Sequence, residues 1–186
     1  MLTDRYDEAL AWASRLHRNQ ARKGGNVPYI SHLLAVSATV LEHGGTEDEA
    51  IAALLHDAVE DQGGASVLIE IRERFGGAVA ETVDGCTDAY GEPKPPWKQR
   101  KKDFIESLKS ASDSVRLVVA ADKLHNASTT LLDLKVEGPQ VWERFRGRRD
   151  GSLWYYRSIV EALSPAPCYG LVSQLDEIVK ELELRY

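Results

Sequence analysis

The stretch IAALLHDAVED (51–61) sets His56, Asp57, Glu60 and Asp61 in or beside an otherwise apolar helical run. An imidazole and a carboxylate side by side among alanines and leucines cost several kcal/mol to bury unless paired or bound to a cation. Thr46 followed by Glu49 reads as a capping box that starts this helix, and Gln62-Gly63-Gly64 ends it. A second oddity lies downstream. LVVAADKLHN (117–126) ends a buried run on Asp122. With His32 on the preceding helix, the chain offers two imidazoles and two carboxylates. A mixed nitrogen and oxygen set suits Mn²⁺, Fe²⁺ or Zn²⁺ better than Ca²⁺ or Mg²⁺. Adjacent residues on a helix point about 100° apart, so His56 and Asp57 reach one ion only if it lies over the groove between them.

Glu60 and Asp61 follow His56 and Asp57 by four positions each, which puts each pair on one helix face. There they are placed to accept a proton from an attacking water or to give one to a leaving group. Asn126 follows Asp122 at the same spacing and is placed to hydrogen-bond a substrate. Each feature also has a plainer reading: an isolated His-Asp pair, a solvated helix end at 60–61, and a buried Asp122 paired with Arg116 or Lys123. The combination favours a metal site.

Working outward, the periodicity is helical almost throughout. Apolar faces predict helices near 6–16, 30–41, 46–61, 66–75, 78–87, 99–110, 112–134, 153–163 and 169–184, with a shorter helix and a turn bounded by Gly138-Pro139, Gly147 and Gly151. Residues 115–121 are rich in β-branched side chains, yet Leu117, Ala121, Leu124 and Leu131 continue a helical period. DAYGEPKPPW (88–97) is the clearest loop, and SPAP (164–167) separates the last two helices. No repeat or composition shift marks a second domain. The expectation is an all-α, single-domain helical bundle of about ten helices covering 1–186. Its metal-site core spans about 16–134, with closing helices over 139–186, and the ion lies between the second, third and seventh helices.

Composition excludes other classes. The chain has 186 residues, 43% hydrophobic and 28% charged, a soluble balance. No apolar run approaches the ~18 residues that span a membrane. The N-terminus carries acids early and lacks a basic region of signal-peptide type. A net charge of −6 argues against sequence-independent nucleic-acid binding. Cys86 and Cys168 form no metal-type spacing and read as small packing thiols in a reducing cytoplasm.

The order His, His-Asp, Asp on successive helices resembles the HD superfamily of metal-dependent phosphohydrolases. More narrowly it is similar to the hydrolase domain of RelA/SpoT homologues, in the stand-alone form called small alarmone hydrolases. The resemblance rests on HRNQARKGGNVPYISH (17–32), IAALLHDAVED (51–61), FGGAVAETVDGCTD (75–88) and AADKLHN (120–126). It implies that His32, His56, Asp57 and Asp122 hold the metal, usually Mn²⁺, and that Glu60 and Asp61 act on the attacking water. It further implies that Arg22 and Lys23 approach the guanosine or phosphate end of the substrate and that Asn126 contacts the nucleoside. The implied reaction removes pyrophosphate from the 3′ position of (p)ppGpp. Three positions and one loop depart from the pattern: Leu33 follows His32 where the family often has proline, Asp88 stands where many members have lysine, Lys123 replaces a common arginine, and the loop at 89–102 is unlike that of the long bifunctional members. The alternatives are an NADPH or other nucleotide phosphatase using the same site, and a nucleotide-binding module without turnover.

Three further readings complete the expectations. The basic stretch at 98–102 is either a solvated helix start or a lid that neutralises a substrate pyrophosphate, and Lys98 and Lys102 are assigned to the substrate on the second reading. Of the adjacent Tyr155 and Tyr156, one belongs to the core, and Tyr155 is assigned to stack on a base. His125 reads as packing or as a hydrogen bond to backbone. Arg144, Arg146, Arg148 and Arg149 read as solvated or as a subunit contact, which leaves a homodimer open.

Overall fold

Glycine pairs, prolines and N-caps divide the chain into ten α-helices among the described residues. The computed structural model describes residues 1–90, 93–164 and 168–185. Positions 91–92 of the loop expected at 88–97, and 165–167 of the SPAP connection, lie outside the described residues. In order the helices are α1 (Asp4–Leu16), α2 (Ile30–Glu42), α3 (Glu47–Leu55), α4 (Ala58–Gln62), α5 (Ala65–Phe75), α6 (Gly77–Cys86), α7 (Trp97–Leu108), α8 (Asp113–Glu137), α9 (Arg148–Leu163) and α10 (Tyr169–Arg185). A 3₁₀ turn, Pro139–Arg144, joins α8 to α9. No strand occurs among the described residues, and an isolated bridge from Ala21 to Pro28 closes the loop before α2. The fold is all-α, as the periodicity predicted.

Packing follows from the pattern of apolar faces. Thr46 caps α3 by accepting from the Glu49 amide, and the Glu49 carboxylate accepts from the Thr46 amide in return. Beyond that cap, every residue from Ala50 to Leu55 is buried, because α1, α2, α6 and α8 pack around α3. A helix that is apolar on all sides belongs in the centre. The 25-residue α8 is the long beam of the fold and touches α2, α3, α6, α9 and α10. One hydrophobic cluster runs continuously from Ala9 in α1 to Leu182 in α10. Each fully buried leucine in it, such as Leu33 or Leu54, contributes roughly 1.5–3 kcal/mol.

Two boundaries differ from the sequence expectation. The helix expected over 46–61 breaks at His56-Asp57, between α3 and α4. The Ala53 carbonyl, which an unbroken helix would give to the Asp57 amide, accepts from His56 Nδ1 at 2.8 Å. Conversely, α9 starts at Arg148 rather than near 153 and runs through Gly151. The glycines there serve close approach rather than chain reversal. A Cβ on Gly147 or Gly151 would lie 2.7 or 3.3 Å from the Trp97 ring.

A similar close approach locks α6 against α8, where a Cβ on Gly85 would lie 2.5 Å from Val115 Cγ2. Gly85→Ala is expected to lower stability by roughly 1–3 kcal/mol through overpacking. In a Val115→Ala background the same substitution costs clearly less, as urea denaturation of the four proteins of the cycle measures. Equal costs in both backgrounds would refute this contact as the cause.

Candidate metal centre

The break at 56–57 decides how the polar residues of the second motif are aimed. A carbonyl only accepts, so the bond from His56 Nδ1 to Ala53 O fixes the proton on Nδ1. His56 Nε2 is then the nitrogen that faces inward. There it lies 3.0 Å from Asp57 Oδ2 and 3.7 Å from Asp122 Oδ1. His32 Nε2, arriving from α2, lies 3.2 Å from Asp122 Oδ1 and 3.6 Å from Asp57 Oδ2. The ligand atoms of His32, His56 and Asp57 fall within 4.8 Å of one another, and Asp122 approaches both imidazoles from α8. Both Nε2 atoms are buried and neither makes a hydrogen bond of acceptable geometry. Two orphaned imidazole nitrogens aimed at two carboxylates suit a divalent ion, and the nitrogen and oxygen donors favour a transition metal. The three helices that meet here are the second, third and the long 113–137 helix, as expected, although the third ends just before its own ligands.

Electrostatics bind the four groups together. Burial alone would push the His56 imidazole down, but the Asp57 and Asp122 carboxylates outweigh it and hold it well above its ordinary value. Burial alone would raise Asp57, yet the facing His56 imidazole outweighs it and holds it well below the usual carboxylate range. Asp122 is held low in the same way, with Lys123 as the strongest opposing charge.

Outer contacts fix each ligand. The Tyr29 hydroxyl donates to Asp57 Oδ2 at 2.6 Å, and its ring stacks on buried His17. Lys123 and the Asn126 amide both donate to Asp122. The Asn126 carbonyl in turn accepts from Arg22 at 2.7 Å, so Arg22, Asn126 and Asp122 form one chain. His32 Nδ1 lies 2.8 Å from His125 Nδ1.

Asp57 and Asp122 of this centre line a cleft of about 920 Å³. Arg22, Lys23, Glu60, Asp61, Asn126 and Tyr155 all line it. Glu60 accepts from Lys94 at 3.1 Å and lies 3.7 Å from Arg100. Burial and the nearby Asp88 push its carboxyl above the usual range. Asp61 accepts from Gln20 at 2.7 Å, and burial and Asp57 push it up as well. Tyr155 and Tyr156 are both buried and both line the cleft, so neither is purely a core residue.

The assignment of Lys98 and Lys102 is corrected. Both are exposed outside the cleft, and Lys98 lies 3.0 Å over the Trp154 ring. On α7 the residues facing inward are Trp97, Arg100 and Lys101, and positions 98 and 102 share the opposite face. Sequence reasoning gave no individual role to Tyr29, which lies in the 17–32 stretch, to Arg100 and Lys101, which lie in the 98–102 stretch, or to Lys94, and it did not foresee the contact of His125 with His32. Nothing local marked which face of α7 turns to the cleft.

A sequence profile described as "HD domain" matches residues 9–153, well over half the chain. The chain belongs to the HD-domain family. Within it, the chain falls among the SpoT-like hydrolase domains. It is 34% identical over 178 residues to the human guanosine-3′,5′-bis(diphosphate) 3′-pyrophosphohydrolase MESH1, covering 94% of this chain and 90% of that protein. A bacterial enzyme of the same name from Aquifex aeolicus is 38% identical over 122 residues, 65% of this chain but 17% of that protein. The HD-domain chain also superposes on a solved metazoan orthologue of SpoT, described as hydrolysing ppGpp, with a TM-score of 0.81 and 30% identity over 97% of each chain.

The centre makes a direct prediction. His56→Ala is expected to abolish stoichiometric uptake of a divalent transition ion, with Mn²⁺ as the titrant in calorimetry. His43→Ala, at the exposed end of α2, should leave uptake intact. Equal uptake by both variants would place the ion elsewhere.

Proposed function

We propose that this chain is a metal-dependent hydrolase that removes pyrophosphate from the ribose 3′ position of (p)ppGpp, giving GDP or GTP. The observation that carries the reading is the convergence of two imidazoles on two carboxylates, Asp57 and Asp122, that line a nucleotide-sized cleft. The human and metazoan relatives, which span nearly the whole chain, support the choice of substrate. The proposed ion is Mn²⁺, held by His32, His56, Asp57 and Asp122. A divalent ion bound there supplies Lewis-acid chemistry, acidifying water and offsetting phosphate charge.

The remaining work belongs to side chains. Water attacks the phosphorus that carries the 3′ oxygen. The new P–O bond replaces the bond to O3′, which leaves and takes a proton to become the ribose hydroxyl, and the phosphoryl group with its new oxygen is released as pyrophosphate. Glu60 and Asp61 move these protons, and carboxyl groups pushed upward by burial suit that task near neutral pH. Arg22 and Lys23 hold the guanosine or phosphate end, Asn126 contacts the nucleoside, and Tyr155 offers a ring to the base. Lys94, Arg100 and Lys101 take the charge-offsetting role first expected of Lys98 and Lys102. The proposed site of this reaction is the cytoplasm.

Glu60→Gln with Asp61→Asn is expected to abolish turnover of ppGpp while Mn²⁺ still binds. Anion-exchange separation of products reads the outcome, with NADPH incubated alongside. Pyrophosphate release from ppGpp supports the proposal, whereas turnover of NADPH alone, with release of inorganic phosphate, replaces the substrate. Retained turnover in the double variant would overturn the role of the two carboxyl groups.

A second prediction follows from the charge beside Glu60. Asp88→Asn removes a negative charge that raises Glu60 and frees Arg100 and Lys101, which lowers it. With Glu60 active in its ionised form, the acid limb of kcat/KM shifts to lower pH. A pH–rate profile with an unmoved limb would exclude Glu60 as the proton acceptor.

A further inference from the structure

We infer that His125 is a positioning residue of the metal centre: its Nδ1 accepts the Nδ1–H of His32 and so turns the Nε2 lone pair of His32 inward. The inference rests on the reading of His32, His56, Asp57 and Asp122 as metal ligands. It adds a residue to which no role in that centre has been given.

The argument is one of hydrogen-bond supply. A neutral imidazole has one N–H and one bare nitrogen, and only the bare nitrogen ligates. For His56 the Ala53 carbonyl settles which is which. For Asp57 and Asp122 the donors are Tyr29, Lys123 and Asn126. His32 differs, because its outward nitrogen meets a second imidazole. The two Nδ1 atoms lie 2.8 Å apart, with ring centroids 4.8 Å apart. One proton sits between them and belongs to one ring. If it belonged to His125, the N–H of neutral His32 would sit on Nε2, facing Asp122 at 3.2 Å, and His32 would be lost as a ligand. Ligation by His32 therefore requires His125 as the acceptor. The register of α8 makes this economical: Asp122 and His125 are three residues apart, so one helix face delivers both a ligand and the orienter of another ligand. Outer partners of metal-bound histidines commonly set ring orientation in this manner.

The test uses Mn²⁺ titration of the full chain by calorimetry, with His125→Phe and His125→Asn. Phe fills the space without an acceptor, whereas the Asn carbonyl falls near the position of the imidazole Nδ1. The expected result is Mn²⁺ affinity about 10–100-fold weaker for His125→Phe, and affinity close to the parent for His125→Asn. Excess Mn²⁺ should then return kcat of His125→Phe toward the parent with KM unchanged. Parental Mn²⁺ affinity in His125→Phe overturns the inference, as does equal weakening in both variants. A raised KM that persists at saturating Mn²⁺ also overturns it, since His125 would then act on the substrate. A measurement on the parent protein covers the case in which His125→Phe does not fold. Long-range ¹H–¹⁵N correlation of the Zn²⁺-loaded parent should show a protonated Nδ1 on His32 and a bare Nδ1 on His125, and the reverse assignment overturns the inference. A parent protein that takes up no divalent ion overturns the metal-centre reading itself, and this inference with it.

Discussion

Two buried imidazole nitrogens without hydrogen-bond partners, set against two carboxylates, are the constraint around which the structure is organised. Left to themselves such groups are costly to bury. Each of the four groups is gripped from outside by a specific donor or acceptor, so that what remains unsatisfied points to one place. The break between α3 and α4 belongs to this scheme. Giving the Ala53 carbonyl to an imidazole rather than to an amide sacrifices helical regularity and fixes a tautomer in return.

The long α8 extends the arrangement from the metal centre along the cleft. Asp122, Asn126, Thr129 and Asp133 recur at intervals of four, three and four residues and all line the cleft. A single helical stripe thus begins at a ligand, passes the partner of Arg22, and ends at a carboxylate that accepts from Arg144 at 3.0 Å. The Arg144 side chain crosses the loop before α2 so closely that a Cβ on Gly24 would lie 2.2 Å from its Nε, and Gly24 also adopts a positive φ of 84°. That loop carries Arg22 and Lys23, so the packing of one glycine helps place the basic end of the cleft.

The cluster of His56, Asp57 and Asp122 was legible in the sequence because polar residues inside apolar helical runs are physically anomalous, and each stands out against leucine and alanine neighbours. The all-α pattern was legible for the same reason, since the 3.6-residue period persists through α1, α2 and α8. What could not be read depended on contacts distant in sequence. Gly147 and Gly151 looked like helix breakers because nothing local reveals that Trp97 packs on them. Lys98 and Lys102 looked like the basic wall because the phase of α7 against the cleft is set by tertiary packing. His125 and Tyr29 carry no local anomaly at all: an imidazole next to an asparagine and a tyrosine after a proline gain meaning only when His32 and Asp57 arrive beside them.

The charge distribution reconciles an acidic protein with an anionic substrate. The chain carries −6 overall, which on its own repels phosphate at long range. Among the described residues lining the cleft, however, Lys and Arg number eight and Asp and Glu six. Two of those six acids, Asp57 and Asp122, are ligands in the proposed centre, where a divalent ion would offset both. The excess of acid therefore lies outside the cleft, while its interior presents net positive charge to a bound phosphate. At physiological ionic strength the Debye length is about 8 Å, so the repulsion from distant surface acids is screened while the close cationic wall is not. Recognition is local for that reason, and the substitutions that matter for binding are those that change which face of α7 or α8 turns toward the cleft.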